Sequence, residues 1–292
     1  MNLQNIPHSL FKFFLIDPGY IGYALDLSQA ENRIVAYVGN IRSMIKAFET
    51  NMDVHKLTAS LIFQKPIEEI STEEGTCELG DGTHDERFWG KKANHGLNYD
   101  LGYRSFAMLY QMTETQAKFI VERYHMAYPG VRQSYHVLVR NMLVNGRTIT
   151  NLMGRNTLFM DKWGDKLFKE AYSCIPQGTV GDVINERGLN FLYYNKEFKP
   201  AELLLQKHDE IVFQIPRSVP LETHAKILTR IKIELETPLT TPDGREFVVP
   251  VDLSIMPKTF SKQDCTEIKG KDFPAVDLLA DKLKEITDAE KN

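Results

Sequence analysis

The 292-residue sequence has little cysteine. Cys77, Cys174 and Cys265 are its only three, and they lie too far apart for a paired-cysteine metal site. That usage suits a reducing compartment and excludes a small disulfide-stapled fold. No run approaches the roughly 18–20 apolar residues of a membrane span. Met1–Leu10 lacks the basic-then-apolar pattern of a secretory leader, which argues against export. An excess of one charge is also missing: 35 Lys and Arg stand against 39 Asp and Glu, for a formal net charge of −4. A nucleic-acid binder usually shows a basic footprint, so any such function here must reside in a local site. There is no internal repeat. What is present is ordinary globular composition, 42% hydrophobic and 25% charged. The length suits one large domain or two modest ones with a proper core.

Along the chain, Ile21–Leu25 reads as a short apolar strand followed by Asp26-Leu27-Ser28-Gln29. Val35, Val38, Met44, Ile45 and Phe48 have helical spacing, and residues 54–63 form another helical patch. From Pro66 to Arg87 the chain is polar and acidic, with Gly75, Gly80 and Gly82, and reads as a loop or insertion. Helices are expected over 87–99, 104–111 and 114–126, a break at Tyr128-Pro129-Gly130, and helix again over 131–144. Arg147–Asp161 reads as a β excursion around Gly154. A helix from Asp165 to Cys174 should stop at Pro176, and another should run from Val180 to Tyr194.

The last third differs. Two apolar runs, Leu203–Gln206 and Ile211–Ile215, flank Lys207-His208-Asp209-Glu210, a hairpin signal. A helix follows over 222–236, and Phe247–Ile255 is strand-like. After Lys262 the chain becomes a charged tail in which Leu279, Leu283 and Ile286 share one helical face. This order predicts an α+β fold: a small antiparallel sheet drawn from the C-terminal third plus the first strand, with a long helical excursion between.

Three features carry chemistry. Arg87, Lys91, His95 and Tyr99 recur every four residues, so on a helix they form one face about 18 Å long. Two cations on adjacent turns can hold a polyphosphate, the guanidinium as a fork and the ammonium as a point charge. The imidazole and phenol offer flat surfaces to an aromatic group; a solvated helix face is the alternative. Second, His208-Asp209-Glu210 caps the hairpin. It is either a polar turn or a carboxylate placed for a hard cation such as Mg²⁺, which takes one or two protein carboxylates. Third, Asp26 ends the first strand. If the two strands are neighbours, Asp26 and Asp209 converge and suit two metals about 3.5–4 Å apart.

Weaker features remain open. Glu78, Asp81, His84, Asp85 and Glu86 lack metal-ligand spacing and suit a solvated loop. Arg147, Arg155, Lys162, Lys166 and Lys169 track a phosphate backbone or are ordinary surface charge. His55 alone reads as a half-buried structural histidine.

Taken in order, these features resemble the polymerase module of family A DNA polymerases, the bacterial DNA polymerase I type with its phage relatives. The resemblance runs from Asn2 to about Phe260. Asn2-Leu3-Gln4-Asn5-Ile6-Pro7 looks like the opening of the palm, and Asp26–Arg33 resembles motif A. Arg87–Tyr99 has the motif B spacing and His208-Asp209-Glu210 is similar to motif C. Gln177-Gly178-Thr179 and Tyr128-Pro129-Gly130-Val131 also fall in register.

The resemblance implies template-directed, Mg²⁺-dependent transfer from a deoxynucleoside triphosphate to a primer 3′ end, in a cytoplasmic bacterial or phage-infected setting. By it, Asp26 and Asp209 hold two Mg²⁺ ions with Leu27 among the ligands, and Glu210 is an auxiliary acid. Arg87, Lys91 and His55 would contact the triphosphate, and His95 and Tyr99 would face the base pair. Glu31 would gate the sugar 2′ position, with Gln29 beside it in the nucleotide site. Gln177, His208, Lys169 and Arg155 would touch primer–template DNA. The implied domains are palm (1–33 and 177–262) around fingers (34–176, with the acidic insertion 66–86), then the tail 263–292. The thumb and the upstream regions have no counterpart, so a separate thumb-bearing polypeptide is an expected partner. His95 stands where Phe or Tyr is usual, and Asp100 replaces a glycine and adds an unusual negative charge near the template. A non-catalytic DNA-binding or assembly subunit and a single-subunit RNA polymerase are the competing readings.

Overall fold

The computed structural model describes Ile6, residues 8–261 and residues 263–289. Of the Asn2–Pro7 motif only Ile6 falls among them. The chain divides into two units: the first is 1–30, 180–239 and 246–292, and the second is 31–179 and 240–245.

In the first unit, β1 (Tyr20–Leu27) alternates side chains between two covered faces, so its middle residues 21–25 are all buried. It is the central strand of a five-stranded antiparallel sheet with β2 (Glu202–Lys207), β3 (Glu210–Pro216), β4 (Val251–Met256) and β5 (Thr266–Ile268), in the order β2-β3-β1-β4-β5. This is the expected architecture, with the first strand inserted among those of the C-terminal third. One face carries Tyr23, whose hydroxyl lies 2.8 Å from Nδ1 of buried His224 on the helix Leu221–Leu235. The other face packs Ala24, Val212 and Met256 with Ile16. The segment expected as a tail belongs to this unit: Thr266–Ile268 is the edge strand, and the helix Val276–Ala289 buries Leu279 and Leu283. The expected strand Phe247–Ile255 is interrupted before Pro250 and resumes at Val251, since proline has no N–H for the ladder.

The second unit is mainly helical. Helix α1 (Val54–Phe63) starts at Asp53, whose carboxylate accepts from the backbone N–H groups of His55 and Lys56, both at 3.0 Å. Helix α2 (Glu86–Leu97) is capped by Asp85 through the Phe88 N–H. The two helices touch at Gly90, where a Cβ would sit 2.2 Å from the carbonyl oxygen of His55; only glycine permits that approach. The β excursion appears as a hairpin of Thr148–Thr150 and Asn156–Leu158, with Gly154 at φ 85°.

Two expectations are corrected. Pro176 does not end a helix: α3 runs unbroken over Asp165–Val183 and continues as π-helix to Asn190. A proline leaves the carbonyl four residues earlier without its helical donor. That carbonyl, on Tyr172, instead accepts a hydrogen bond from the buried hydroxyl of Tyr135. Helix α2 also stops at Leu97 rather than Tyr99. Asp100 turns left-handed at φ 58°, and the N–H of Leu101 closes back on the Gly96 carbonyl at 3.2 Å.

Candidate active site

The first unit carries a row of charge across its sheet. In register, Lys207 on β2 faces Glu210 on β3, Glu210 faces Asp26 on β1, and Asp26 faces Asp252 on β4. Lys269, one residue beyond β5, donates to Asp252 at 3.0 Å. The signs run plus, minus, minus, minus, plus. Lys207 pairs with Glu210 at 3.1 Å, and both side chains are mostly buried. Asp209 joins the row from the hairpin tip, where its backbone carbonyl accepts from the Leu27 N–H at 3.0 Å. The sheet therefore brings Asp26, Leu27, Asp209 and Glu210 together. His208 stands exposed at the turn with φ 50°, a left-handed conformation that a non-glycine residue adopts at a cost.

The electrostatics of Asp26 follow from that placement. Desolvation pushes its carboxyl well above the usual carboxylate range; Asp209, Glu210 and Asp252 push the same way and Lys269 opposes them. Lys269 leaves most of that cost in place. Among the described residues no group of three or more His, Cys, Asp or Glu is arranged to hold a metal ion. Two aspartates with a leucine, whose only donor is its backbone carbonyl, nevertheless match the short, hard-oxygen ligand list of Mg²⁺. The donor set fits that ion.

In the second unit, α2 presents the expected ridge. Its buried side is Glu86, Trp89, Gly90, Ala93, Asn94 and Leu97, which leaves Lys91 and His95 exposed and Arg87 half-exposed. Arg87 donates to Asp53 at 2.5 Å, so the residue that caps α1 also steadies the guanidinium. His55 is buried, with its ring centre 6.0 Å from that of His95. Asn94 Nδ2 donates to His55 Nδ1 at 3.0 Å, which leaves the proton on Nε2. Burial, then the charges of His95 and Arg87, push the His55 imidazole down to about 3. Desolvation, then Lys91 and Lys92, lower His95 as well. Taken alone, His55 reads as a half-buried structural histidine, and it is in fact buried; the resemblance sets it beside Arg87 and Lys91, whose helix it adjoins.

Tyr99 follows the helix end and donates its hydroxyl to Glu31, so the proposed gate and the last ridge residue are joined. Behind them, Asn98 donates to Asn32 at 2.9 Å and accepts from the Tyr124 hydroxyl at 2.8 Å. The negative charge at Asp100 is met by Arg132, with contacts of 2.6 and 2.9 Å. Burial works against the carboxylate, but Arg132 holds it below its usual range. Gln29 lies in the first unit at φ 52°, its Oε1 buried without a hydrogen-bond partner. Exposed Gln177 and Arg155 are neighbours, because the Arg155 guanidinium reaches the Gly178 carbonyl at 3.3 Å. Lys169 lies two turns earlier on α3. The acidic loop contributes structure: Glu86 binds Lys65 at 2.5 Å and the Ser71 N–H at 3.0 Å.

The description "DNA polymerase family A" fits residues 1–247 of this sequence. The chain belongs to that family. It is 29% identical over 230 residues to DNA polymerase I of Geobacillus stearothermophilus, covering 74% of this chain and 25% of the relative. It is 30% identical over 233 residues to DNA polymerase I of Mycobacterium leprae, covering 73% and 24%. The chain thus spans about a quarter of the length of these relatives. The fold is similar to that of the POL domain of Pol1 from M. smegmatis, solved with DNA primer-template and dNTP, with a TM-score of 0.72 and 24% identity over 90% of this chain and 45% of that one.

The family match spans the ridge and both aspartates. Sequence reading missed Asp252, Lys269, Asp53 and the Asn32–Asn98–Tyr124 network. A signal for Asp252 existed: it is a lone carboxylate inside the apolar run Val249–Ile255. Nothing in the sequence pointed to Lys269, which matters only because β5 joins the sheet. Among the described residues no helix is long and apolar enough to cross a membrane.

Proposed function

We propose that this chain carries out template-directed DNA synthesis, with the first unit as palm and the second as fingers. The observation that carries the reading is the convergence of Asp26 and Asp209, from opposite ends of the sequence, at the end of one sheet. Two Mg²⁺ ions held there by Asp26, Asp209 and the Leu27 carbonyl would lower the pKa of a primer hydroxyl and neutralise the triphosphate and departing pyrophosphate. Glu210, tied to Lys207, shapes the field around them without being a ligand.

The ridge of α2 supplies the triphosphate contacts. Arg87, steadied by Asp53, offers a fork; Lys91 offers a point charge; His55 offers its Nε2–H. His95 and Tyr99 face the nascent base pair, and the hydroxyl of Tyr99 holds Glu31 where it excludes a 2′-hydroxyl. By the resemblance, Gln29 in the first unit is also a nucleotide-binding residue. Gln177 and His208 touch minor-groove edges, where acceptors are similar for all base pairs. Arg155 and Lys169 lie along the DNA backbone.

Primer extension with Mg²⁺ and deoxynucleotides tests the reading directly. Asp26→Asn and Asp209→Asn should both be inactive; near-normal turnover in either would refute the metal assignment. No incorporation by the wild type, together with retained DNA binding, would favour a non-catalytic subunit. Ribonucleotide incorporation equal to that of deoxynucleotides would favour an RNA polymerase. The second, thumb-bearing polypeptide rests on the resemblance alone. Strong processive synthesis by this chain without it would remove that partner.

A further inference from the structure

The charged row has lysines at both ends, and neither belongs to the polymerase motifs above. The one at the β5 end comes from the C-terminal segment, beyond the residues that the family match covers. Strand β5 pairs antiparallel with β4 through Leu253–Ile268, Ser254–Glu267 and Ile255–Thr266, and the next residue along is Lys269. Its ammonium lies 3.0 Å from Asp252 Oδ2 and 2.6 Å from Glu267 Oε1. The backbone N–H of Gly270 closes on the other oxygen, Asp252 Oδ1, at 2.7 Å. Asp252 is 7% exposed and directly faces Asp26. A buried carboxylate beside a metal site repels the ligand acids unless something balances it. Here the balance comes from an added strand.

We propose that Lys269 is a positioning residue which, through Asp252, sets the divalent-cation affinity of the Asp26–Asp209 site. This rests on the polymerase reading of that site. A fixed positive charge in the row weakens cation binding while holding Asp252 away from the bound ion, so the site keeps its two aspartate ligands and gains no third. The segment 263–289 is then part of the catalytic unit's electrostatics as well as of its packing. Glu267 modulates the effect, because it draws the same ammonium toward solvent.

The test is Mn²⁺ titration of the purified full chain, followed by electron paramagnetic resonance, without DNA or nucleotide. Lys269→Met should tighten Mn²⁺ binding about five- to tenfold, the size of a unit charge removed at short range in a solvent-influenced site. Lys269→Arg should restore the wild-type affinity. Glu267→Gln, at an exposed position, should weaken binding by a smaller factor and serves as the test if Lys269→Met does not fold. Unchanged affinity in both Lys269→Met and Glu267→Gln, with Asp26→Asn still abolishing binding, would overturn the role of Lys269 alone. If Asp26→Asn also left Mn²⁺ binding intact, the metal reading would fall and this inference with it.

Discussion

Asp26 and Asp252 stand opposite one another on neighbouring antiparallel strands, and of the two only Asp252 has a lysine within hydrogen-bond reach among the described residues. The sheet thus sorts its acids. Asp252 and Glu210 pair directly with Lys269 and Lys207, whereas for Asp26 the more distant Lys269 offsets only part of the cost of burial and repulsion. Replacing Asp26 with asparagine removes that cost together with the ligand. Asp26→Asn should therefore lose about a thousandfold or more in incorporation, corresponding to several kcal/mol of transition-state stabilisation. Its melting temperature should be unchanged or higher. Single-turnover kinetics and a thermal melt on the same preparation check both halves, and a clear fall in melting temperature would contradict the electrostatic account.

The ridge gives a second contrast. Lys91 is exposed and is bound by no carboxylate among the described ion pairs, so Lys91→Ala should raise the nucleotide KM and slow chemistry while leaving stability within about 0.5 kcal/mol. Arg87 also holds Asp53, the cap of α1. Arg87→Ala should show the same kinetic defect and in addition a lower urea midpoint. Equal stability of the two variants would show that the Arg87–Asp53 pair contributes nothing.

The elements with strong periodicity were legible: the central strand, the hairpin around His208-Asp209, the Gly154 excursion and the ridge of α2. What escaped the sequence were consequences of tertiary partners. Pro176 reads as a helix stop because local rules withdraw a hydrogen bond, yet Tyr135 supplies a replacement donor from another part of the chain. Asp100 reads as a stray negative charge, yet it occupies a left-handed helix end and faces Arg132. Short, two-sided β5 carries no hydrophobic alternation that sets it apart from a charged tail. Asp26 and Asp209 stood out as candidates because each follows or tips an apolar strand, and those strands do pair; Asp252 and Lys269 become meaningful only once the strand order is known.

Buried histidines predict acid sensitivity. His55, His136 and His224 are 6%, 1% and 0% exposed, and desolvation lowers all three, His55 to about 3. His136 Nε2 lies 2.8 Å from the Asn98 carbonyl while its Nδ1 is buried without a hydrogen-bond partner, and His224 Nε2 lies 3.1 Å from the Pro216 carbonyl with its Nδ1 2.8 Å from the Tyr23 hydroxyl; none of these contacts offers an anion to an added proton. Because their folded pKa values lie below the unfolded value near 6.5, the unfolded chain binds more protons at low pH. The stabilisation is complete above about pH 6.5 and is lost as pH falls from there toward the folded values. In the Asp26→Asn background, which removes a raised carboxyl that would itself add stability as pH falls through this window, melting temperatures between pH 8 and pH 5 should be level at first and then drop below about 6.5. A level profile down to pH 5 would count against neutral burial of these rings.

The last prediction concerns the proline inside α3. Tyr135 is fully buried, and its hydroxyl donates to the Tyr172 carbonyl that Pro176 leaves without a helical partner. Tyr135→Phe keeps the ring and its packing but strips that carbonyl of its donor. A buried acceptor left unsatisfied costs about 1–3 kcal/mol. Tyr135→Phe should therefore lower stability by that amount in urea unfolding. The double variant Tyr135→Phe/Pro176→Ala restores a backbone N–H four residues after Tyr172 and should recover much of the loss. If Pro176→Ala gave the phenylalanine variant no benefit, the carbonyl would not be what Tyr135 satisfies, and the unbroken course of α3 through Pro176 would need another cause.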